Sequence, residues 1–107
     1  MLYIFFMEIT KYYSPNYTKK VRSGRSITMI ILHYTGMQSE RETLKRLTSI
    51  KSKVSAHYLV GRNGGILNLV EPRYVAWHAG KSMWKNNKNL NKNSIGIELA
   101  NKGHKFG

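Results

Sequence analysis

The 107-residue chain lacks cysteine and aspartate and has only two prolines. Without cysteine there is no disulfide framework and no thiolate metal site, so a bound metal would need histidine or carboxylate ligands. Acidic residues are also scarce, because five glutamates face 18 lysines and arginines, for a net charge of +13. No apolar run approaches the roughly 20 residues that span a bilayer. We therefore expect one domain without a transmembrane segment.

Residues 1–10 are predicted to form an extension outside the core, which precedes a domain over residues 11–107. Residues 1–6 are apolar but short, and they lack the basic start and the cleavage site of a secretory signal. Met7 offers an alternative start. Because no signal peptide is recognisable, we expect a cytoplasmic protein, with the cell envelope as the alternative.

The excess of positive charge predicts attraction to polyanions such as nucleic acid, anionic lipid headgroups or the bacterial cell wall. The basic residues are scattered, as in the lysine-asparagine segment 85–89. A basic recognition helix and an interleaved aromatic-basic strand, which would indicate nucleic-acid binding, are both missing. We therefore expect a solvated basic surface and no nucleic-acid partner. A small nucleic-acid-binding protein is the less favoured alternative.

The order of apolar and turn segments predicts a mixed α/β arrangement. The apolar run 27–32 is typical of a central strand covered on both faces. Ser39 and Glu42 match a capping box, and leucines follow at helical spacing, which predicts a helix over residues 40–49.

The remaining segments add a hairpin and a further strand. Residues 54–70 predict a β-hairpin around the Asn-Gly-Gly turn at 63–65. Residues 11–26 and 81–93 are polar and are predicted to be irregular, whereas residues 94–100 predict another strand. Together these segments predict a central mixed β-sheet flanked by helices. One helix and a hairpin give little cover, so we also expect one sheet face to be underpacked.

Two histidines are candidate functional residues. His33 follows the first long strand, where α/β folds place functional side chains, although a histidine bonded to its own loop is an equal alternative. His78 lies in a small-residue turn beside Trp77, and the neighbouring Ala79 and Gly80 would let a ligand approach. The same small residues also suit an ordinary tight turn.

Glu98 is the candidate acid, because a carboxylate in an apolar strand either points to solvent or has a function. It shares a strand face with Gly96 and Ala100, whose small side chains could leave a cleft where burial raises its pKa, as in a general base. His57 is expected to be a structural histidine of the hairpin. No catalytic role is expected for His104.

Four sequence blocks, in order, resemble the zinc-dependent N-acetylmuramoyl-L-alanine amidases. They are Ile-Leu-His-Tyr-Thr at 31–35, Val-Ser-Ala-His-Tyr-Leu-Val at 54–60, Ala-Trp-His-Ala-Gly at 76–80 and Asn-Ser-Ile-Gly-Ile-Glu-Leu at 93–99. This is the type-2 amidase family, which is related to peptidoglycan recognition proteins and amidase-type phage lysozymes. The resemblance covers about residues 15–106 and implies the amidase α/β fold without its C-terminal part.

The resemblance also implies roles for particular residues. His33 corresponds to a zinc ligand, and Glu98 to the catalytic carboxylate that activates a water and passes its proton to the leaving amine. The substrate cleft would be lined by Trp77, His78, Ala79 and Gly80. The implied partner is peptidoglycan or a muropeptide, cut between the lactyl group of muramic acid and L-alanine, by a protein expected to be monomeric.

This sequence departs from the family in its metal site. Members complete the zinc site with a second histidine and an aspartate or cysteine beyond the glutamate block, but here only nine residues follow Glu98 and aspartate is absent. Some members also carry a catalytic tyrosine where this chain has Ala56, which favours the glutamate-using branch. We therefore expect a partial amidase domain that binds zinc weakly and turns over poorly. The alternative is a fragment that binds peptidoglycan or muropeptides without cutting them.

Overall fold

The computed structural model describes residues 8–36, 39–80 and 90–100. Its strands are β1 (Ile9–Lys11), β2 (Tyr17–Thr18), β3 (Met29–Tyr34), β4 (Tyr58–Val60), β5 (Ile66–Asn68), β6 (Val75–Ala76) and β7 (Ser94–Leu99). Its α-helices are α1 (Glu40–Thr48) and α2 (Leu90–Asn93), with 3-10 turns at Gly24–Ser26 and Ile50–Ser52. None of the helices in these described ranges has the length and hydropathy needed to cross a bilayer.

Five strands form one mixed sheet in the order β1-β5-β4-β7-β3. The pairs β1–β5, β4–β7 and β3–β7 are parallel, whereas β4 and β5 form an antiparallel hairpin. Strands β2 and β6 pair separately and antiparallel. The predicted mixed sheet and the predicted hairpin are therefore confirmed, with shorter hairpin strands than the sequence indicated.

Helix α1 confirms the prediction for residues 40–49. The hydroxyl of Ser39 caps it by accepting the backbone N–H of Glu42 at 3.1 Å, which satisfies one of the amides left unpaired in the first helical turn. Thr43 and Leu47, one turn apart, are its buried residues. Leu47 packs with Leu59 and Leu69 in the main hydrophobic cluster, so α1 lies against the sheet.

The register of the parallel strands defines the two faces of the sheet. His33 pairs with Glu98, and Glu98 pairs with Leu59, so these three side chains lie in one row on the same face. We call this the covered face, because Leu59 contacts α1 there. The covered face therefore carries both the core and two of the candidate site residues.

The opposite face of β3 and β7 is the open face. Its side chains are Ile30, Leu32, Tyr34, Ile95, Ile97 and Leu99. Ile30, Leu32 and Tyr34 are 65%, 58% and 66% exposed, and the β7 residues are only partly buried. The expectation of an underpacked face is confirmed. The prediction of a central strand covered on both faces is wrong, because among residues 8–36, 39–80 and 90–100 β3 is the last strand of the sheet and only one of its faces is packed.

Residues 1–10 were predicted to be an extension outside the core, and in the structure Ile9 and Thr10 pair with β5 as an exposed edge strand that adds nothing to the hydrophobic core. This strand was not predictable from its side chains, because all three of its residues are exposed and backbone bonds hold it. Tyr17–Thr18 and Leu90–Asn93 are a strand and a helix within segments predicted to be irregular. Residues 81–89 and His104 lie outside the described residues.

Candidate active site

His33 and His78 meet on the covered face although 45 residues separate them in sequence. Nε2 of His33 lies 2.9 Å from Nδ1 of His78, within hydrogen-bond distance. The two rings are nearly perpendicular, at 73°, with centroids 5.1 Å apart. Strand β3 positions His33 at its end, whereas His78 comes from the turn after β6.

Strand β7 supplies the surface against which His78 packs. Nε2 of His78 lies 2.9 Å from the hydroxyl oxygen of Ser94, the first residue of the strand. Two residues further on, a Cβ placed on Gly96 would overlap the His78 ring. Glycine at this position is therefore what lets the imidazole lie directly on the strand backbone.

Two polar side chains hold the turn that carries His78. Oδ1 of Asn91 accepts the backbone N–H groups of His78 and Ala79, at 3.0 and 2.8 Å. The backbone N–H of Trp77 donates to the hydroxyl of Ser55 at 3.0 Å, and Gly80 completes the turn with a φ of +60°. The four residues predicted to line the cleft therefore share one fixed turn.

His57 is fully buried and held by backbone partners. Its Nδ1 accepts the N–H of Gly96 at 3.0 Å, so its Nε2 carries the proton and donates to the carbonyl of Tyr74 at 2.8 Å. Burial, partly offset by the Tyr74 bond and reinforced by Arg22, lowers the pKa of His57 to about 4. This agrees with the structural role predicted for His57, although its ring centroid lies only 6.1 Å from that of His78.

Burial shifts the pKa values of His78 and Glu98 in opposite directions. Burial, reinforced by the neighbouring His33, His57 and Arg22, lowers the pKa of His78 to about 3, so His78 is neutral near pH 7. Burial raises the pKa of Glu98, against the opposing effect of His33 and of Arg46 on α1. The direction for Glu98 is the one that sequence reasoning predicted.

The structure thus brings His33, His78 and Glu98 to one face of the sheet, and this proximity does not by itself test their roles. Within residues 8–36, 39–80 and 90–100, no three histidine, cysteine or acidic side chains are grouped to hold a metal ion. His33 also directs Nε2 at His78 rather than at an open position. The described residues therefore do not fit a three-ligand zinc site.

Sequence reasoning assigned no role to Ser94, Asn91 or Arg22. Arg22 donates to the carbonyl oxygens of Pro72, Asn91 and Lys92 at 3.0, 2.9 and 3.1 Å, which fixes α2. Ser94 lies inside one of the four recognised blocks, so its position was a signal. Asn91 and Arg22 carried none, because their partners are distant in sequence.

Comparison with known proteins places this arrangement among amidases. A family model described as N-acetylmuramoyl-L-alanine amidase matches residues 23–106. The chain is 42% identical over 84 residues to N-acetylmuramoyl-L-alanine amidase AmiD of Escherichia coli, covering 72% of this chain and 29% of AmiD. It is 47% identical over 103 residues to 1,6-anhydro-N-acetylmuramyl-L-alanine amidase AmpD of Haemophilus influenzae, covering 80% of this chain and 55% of AmpD.

Solved structures show the same fold. A selenomethionine derivative of AmpD has a TM-score of 0.72 and 26% identity, over 94% of this chain and 66% of that one. E. coli AmiD, in complex with the substrate anhydro-N-acetylmuramic acid-L-Ala-D-gamma-Glu-L-Lys, has a TM-score of 0.64 and 41% identity, over 73% of this chain and 32% of AmiD. The chain thus spans about a third to two thirds of these proteins.

Proposed function

This chain belongs to the N-acetylmuramoyl-L-alanine amidase family, and we propose that its site acts on the amide bond between the lactyl group of muramic acid and L-alanine. The substrate would be peptidoglycan or a muropeptide of the bacterial cell wall. The proposal rests on the position of Glu98, which is in register with His33 on the covered face. Its carboxyl is partly buried, and burial raises its pKa.

In this proposal Glu98 is the catalytic residue that moves protons. An amide resists hydrolysis because water is a poor nucleophile and the amine is a poor leaving group. A carboxylate whose pKa is shifted toward neutrality can remove a proton from water and then deliver it to the departing nitrogen. The turn of Trp77, His78, Ala79 and Gly80 would form the wall that orients the muropeptide.

We derive no step through a metal ion. The family resemblance would make His33 a zinc ligand, but the described residues lack a three-ligand group. A catalytic zinc takes three protein ligands and keeps one position for water. We therefore expect the 107-residue chain to bind zinc weakly and to hydrolyse muropeptides slowly, which zinc titration with a parallel amide-release assay will measure.

Substitution of Glu98 tests the catalytic assignment. Glu98→Gln keeps the size of the side chain and removes the base, so we expect the release of peptide from a muropeptide to fall by about a hundredfold or more. Below the raised pKa of Glu98 the wild-type rate should also fall, because the protonated carboxyl cannot accept a proton. Glu42→Gln, on the exposed face of α1, is the matched control and should leave the rate unchanged.

Unaltered hydrolysis by the Glu98→Gln variant would contradict the assignment. A second candidate function follows from the lack of a three-ligand group among the described residues: binding of muropeptides without cleavage. Retention of the chain on insoluble peptidoglycan, without amide release at any zinc concentration, would favour this function over hydrolysis.

A further inference from the structure

We infer that Ser94 is a positioning residue whose hydroxyl fixes the proton of His78 on Nε2 and thereby orients the ring of His33. The inference concerns the site of the proposed function and deepens it. The contacts that support it lie within the described residues and need no substrate or metal.

The hydroxyl of Ser94 has two polar neighbours. Its oxygen lies 2.6 Å from the carbonyl oxygen of Leu90 and 2.9 Å from Nε2 of His78. A carbonyl oxygen can only accept, so the single hydroxyl proton points to Leu90. Ser94 then offers His78 only a lone pair, which requires the proton to be on Nε2. Ser94 is fully buried, so bulk water does not compete for these bonds.

The tautomer of His78 decides which way the hydrogen bond to His33 runs. A neutral imidazole that is protonated on Nε2 has a bare Nδ1. This nitrogen of His78 lies 2.9 Å from Nε2 of His33, so His33 must be the donor. The bonds therefore run in one direction, from His33 to His78, then to Ser94 and on to Leu90. His33 is held by its Nε2, and its Nδ1 is the nitrogen that this series of bonds does not use.

Helix α2 and Arg22 support this series of hydrogen bonds. Leu90 and Asn91 belong to α2, and Asn91 accepts the backbone N–H of His78 while Ser94 accepts its ring N–H. Both the backbone and the ring of His78 are thus attached to one short segment. Arg22 anchors that segment through the carbonyl of Asn91. A rigid support of this kind is what makes a single hydroxyl able to select one tautomer.

Long-range proton–nitrogen NMR of the histidine-labelled full chain tests the inference at alkaline pH, where the rings are neutral. We expect His78 to show a protonated Nε2 and a bare Nδ1. In Ser94→Ala the preference for this tautomer should fall by about five- to tenfold, the equivalent of one ordinary hydrogen bond. Ser94→Thr keeps the hydroxyl and should restore the preference.

Ser14→Ala is the matched control, because the Ser14 hydroxyl likewise donates to a buried carbonyl, that of Leu47 at 2.6 Å, and accepts a backbone N–H. It should lower stability without changing the tautomer of His78. A wild-type His78 protonated on Nδ1, or an unchanged tautomer in Ser94→Ala, would overturn the inference. If Ser94→Ala does not fold, a wild-type His78 protonated on Nδ1 still overturns the inference, and Ser94→Thr still tests the role of the hydroxyl. Because no readout uses a muropeptide, failure of the proposed function would appear only in the hydrolysis assay.

Discussion

The two faces of the sheet are built from the same strands but have opposite character. On the covered face, His33 and Glu98 each follow small or apolar residues of their own strand, and Leu59 packs against α1. The residues that the structure describes contain no buried side-chain nitrogen or oxygen without a hydrogen-bond partner. On the open face, Ile30 and Leu32 are more than half exposed. The contrast indicates that the site depends on the packing of one face only.

The largest change in stability is expected when a leucine side chain is removed from the packed cluster, and the same change on the open face should cost much less. Leu69 is fully buried in the main cluster, so Leu69→Ala should lower the free energy of unfolding by about 3 kcal/mol through lost burial and a cavity. Leu32→Ala on the open face should change it by less than about 0.5 kcal/mol. Urea denaturation of both variants measures the difference. Equal losses would show that the open face is packed in solution.

A smaller loss of stability is expected from a substitution at the contact between His78 and β7. Gly96→Ala places a methyl group where the His78 ring lies, so we expect a loss of about 2 kcal/mol and altered His78 resonances. Gly24→Ala is the control, because no atom lies within 4 Å of the added Cβ and the change should be nearly neutral. Wild-type stability in Gly96→Ala would mean that the ring is not held against the strand.

The smallest effect is the dependence of stability on pH. The pKa of His57 is lowered from 6.5 to about 4 and that of His78 to about 3, so the unfolded chain binds more protons below pH 6.5. The stabilisation is fully present above pH 6.5 and is lost as the pH falls through the two lowered pKa values. Glu98 acts in the opposite direction, because its raised pKa favours the folded state at low pH.

We therefore expect a net loss of roughly 1 kcal/mol between about pH 7 and about pH 5, less than the two histidines alone imply because Glu98 opposes them and His78 is only partly buried. Denaturation midpoints across this range measure the slope, and an NMR titration assigns it. A pKa of His57 near 6.5 would contradict the role of burial on the covered face.

Local chemistry made much of the fold predictable. Ser39 and Glu42 mark the start of α1, and the Asn63-Gly64-Gly65 turn marks the hairpin, because each signal acts between residues close in sequence. Strand β1 escaped prediction because its bonds to β5 join backbone atoms more than fifty residues apart, which no side-chain pattern records.

The candidate site was likewise predictable only in part. His33, His78 and Glu98 were identifiable as residue types in unusual surroundings and through the four family blocks. The bonds that orient them were not, because Ser94 and Asn91 act on His78 only after the chain has folded. The identity of a functional side chain can be read from its neighbours in sequence, whereas its proton positions depend on tertiary contacts.

Strand β3 has one further consequence, for the behaviour of the protein in concentrated solution. In the part of the chain that the structure describes, this six-residue strand has a neighbour on one side only. Met29–Tyr34 contains no proline or lysine, the residues that commonly keep an exposed edge from pairing with another molecule. Electrostatic repulsion between copies, each with a net charge of +13, is then the main opposing force. At roughly 0.1 M salt, charges more than about 10 Å apart are largely screened from one another, so we expect ionic strength to govern how long this chain stays dispersed.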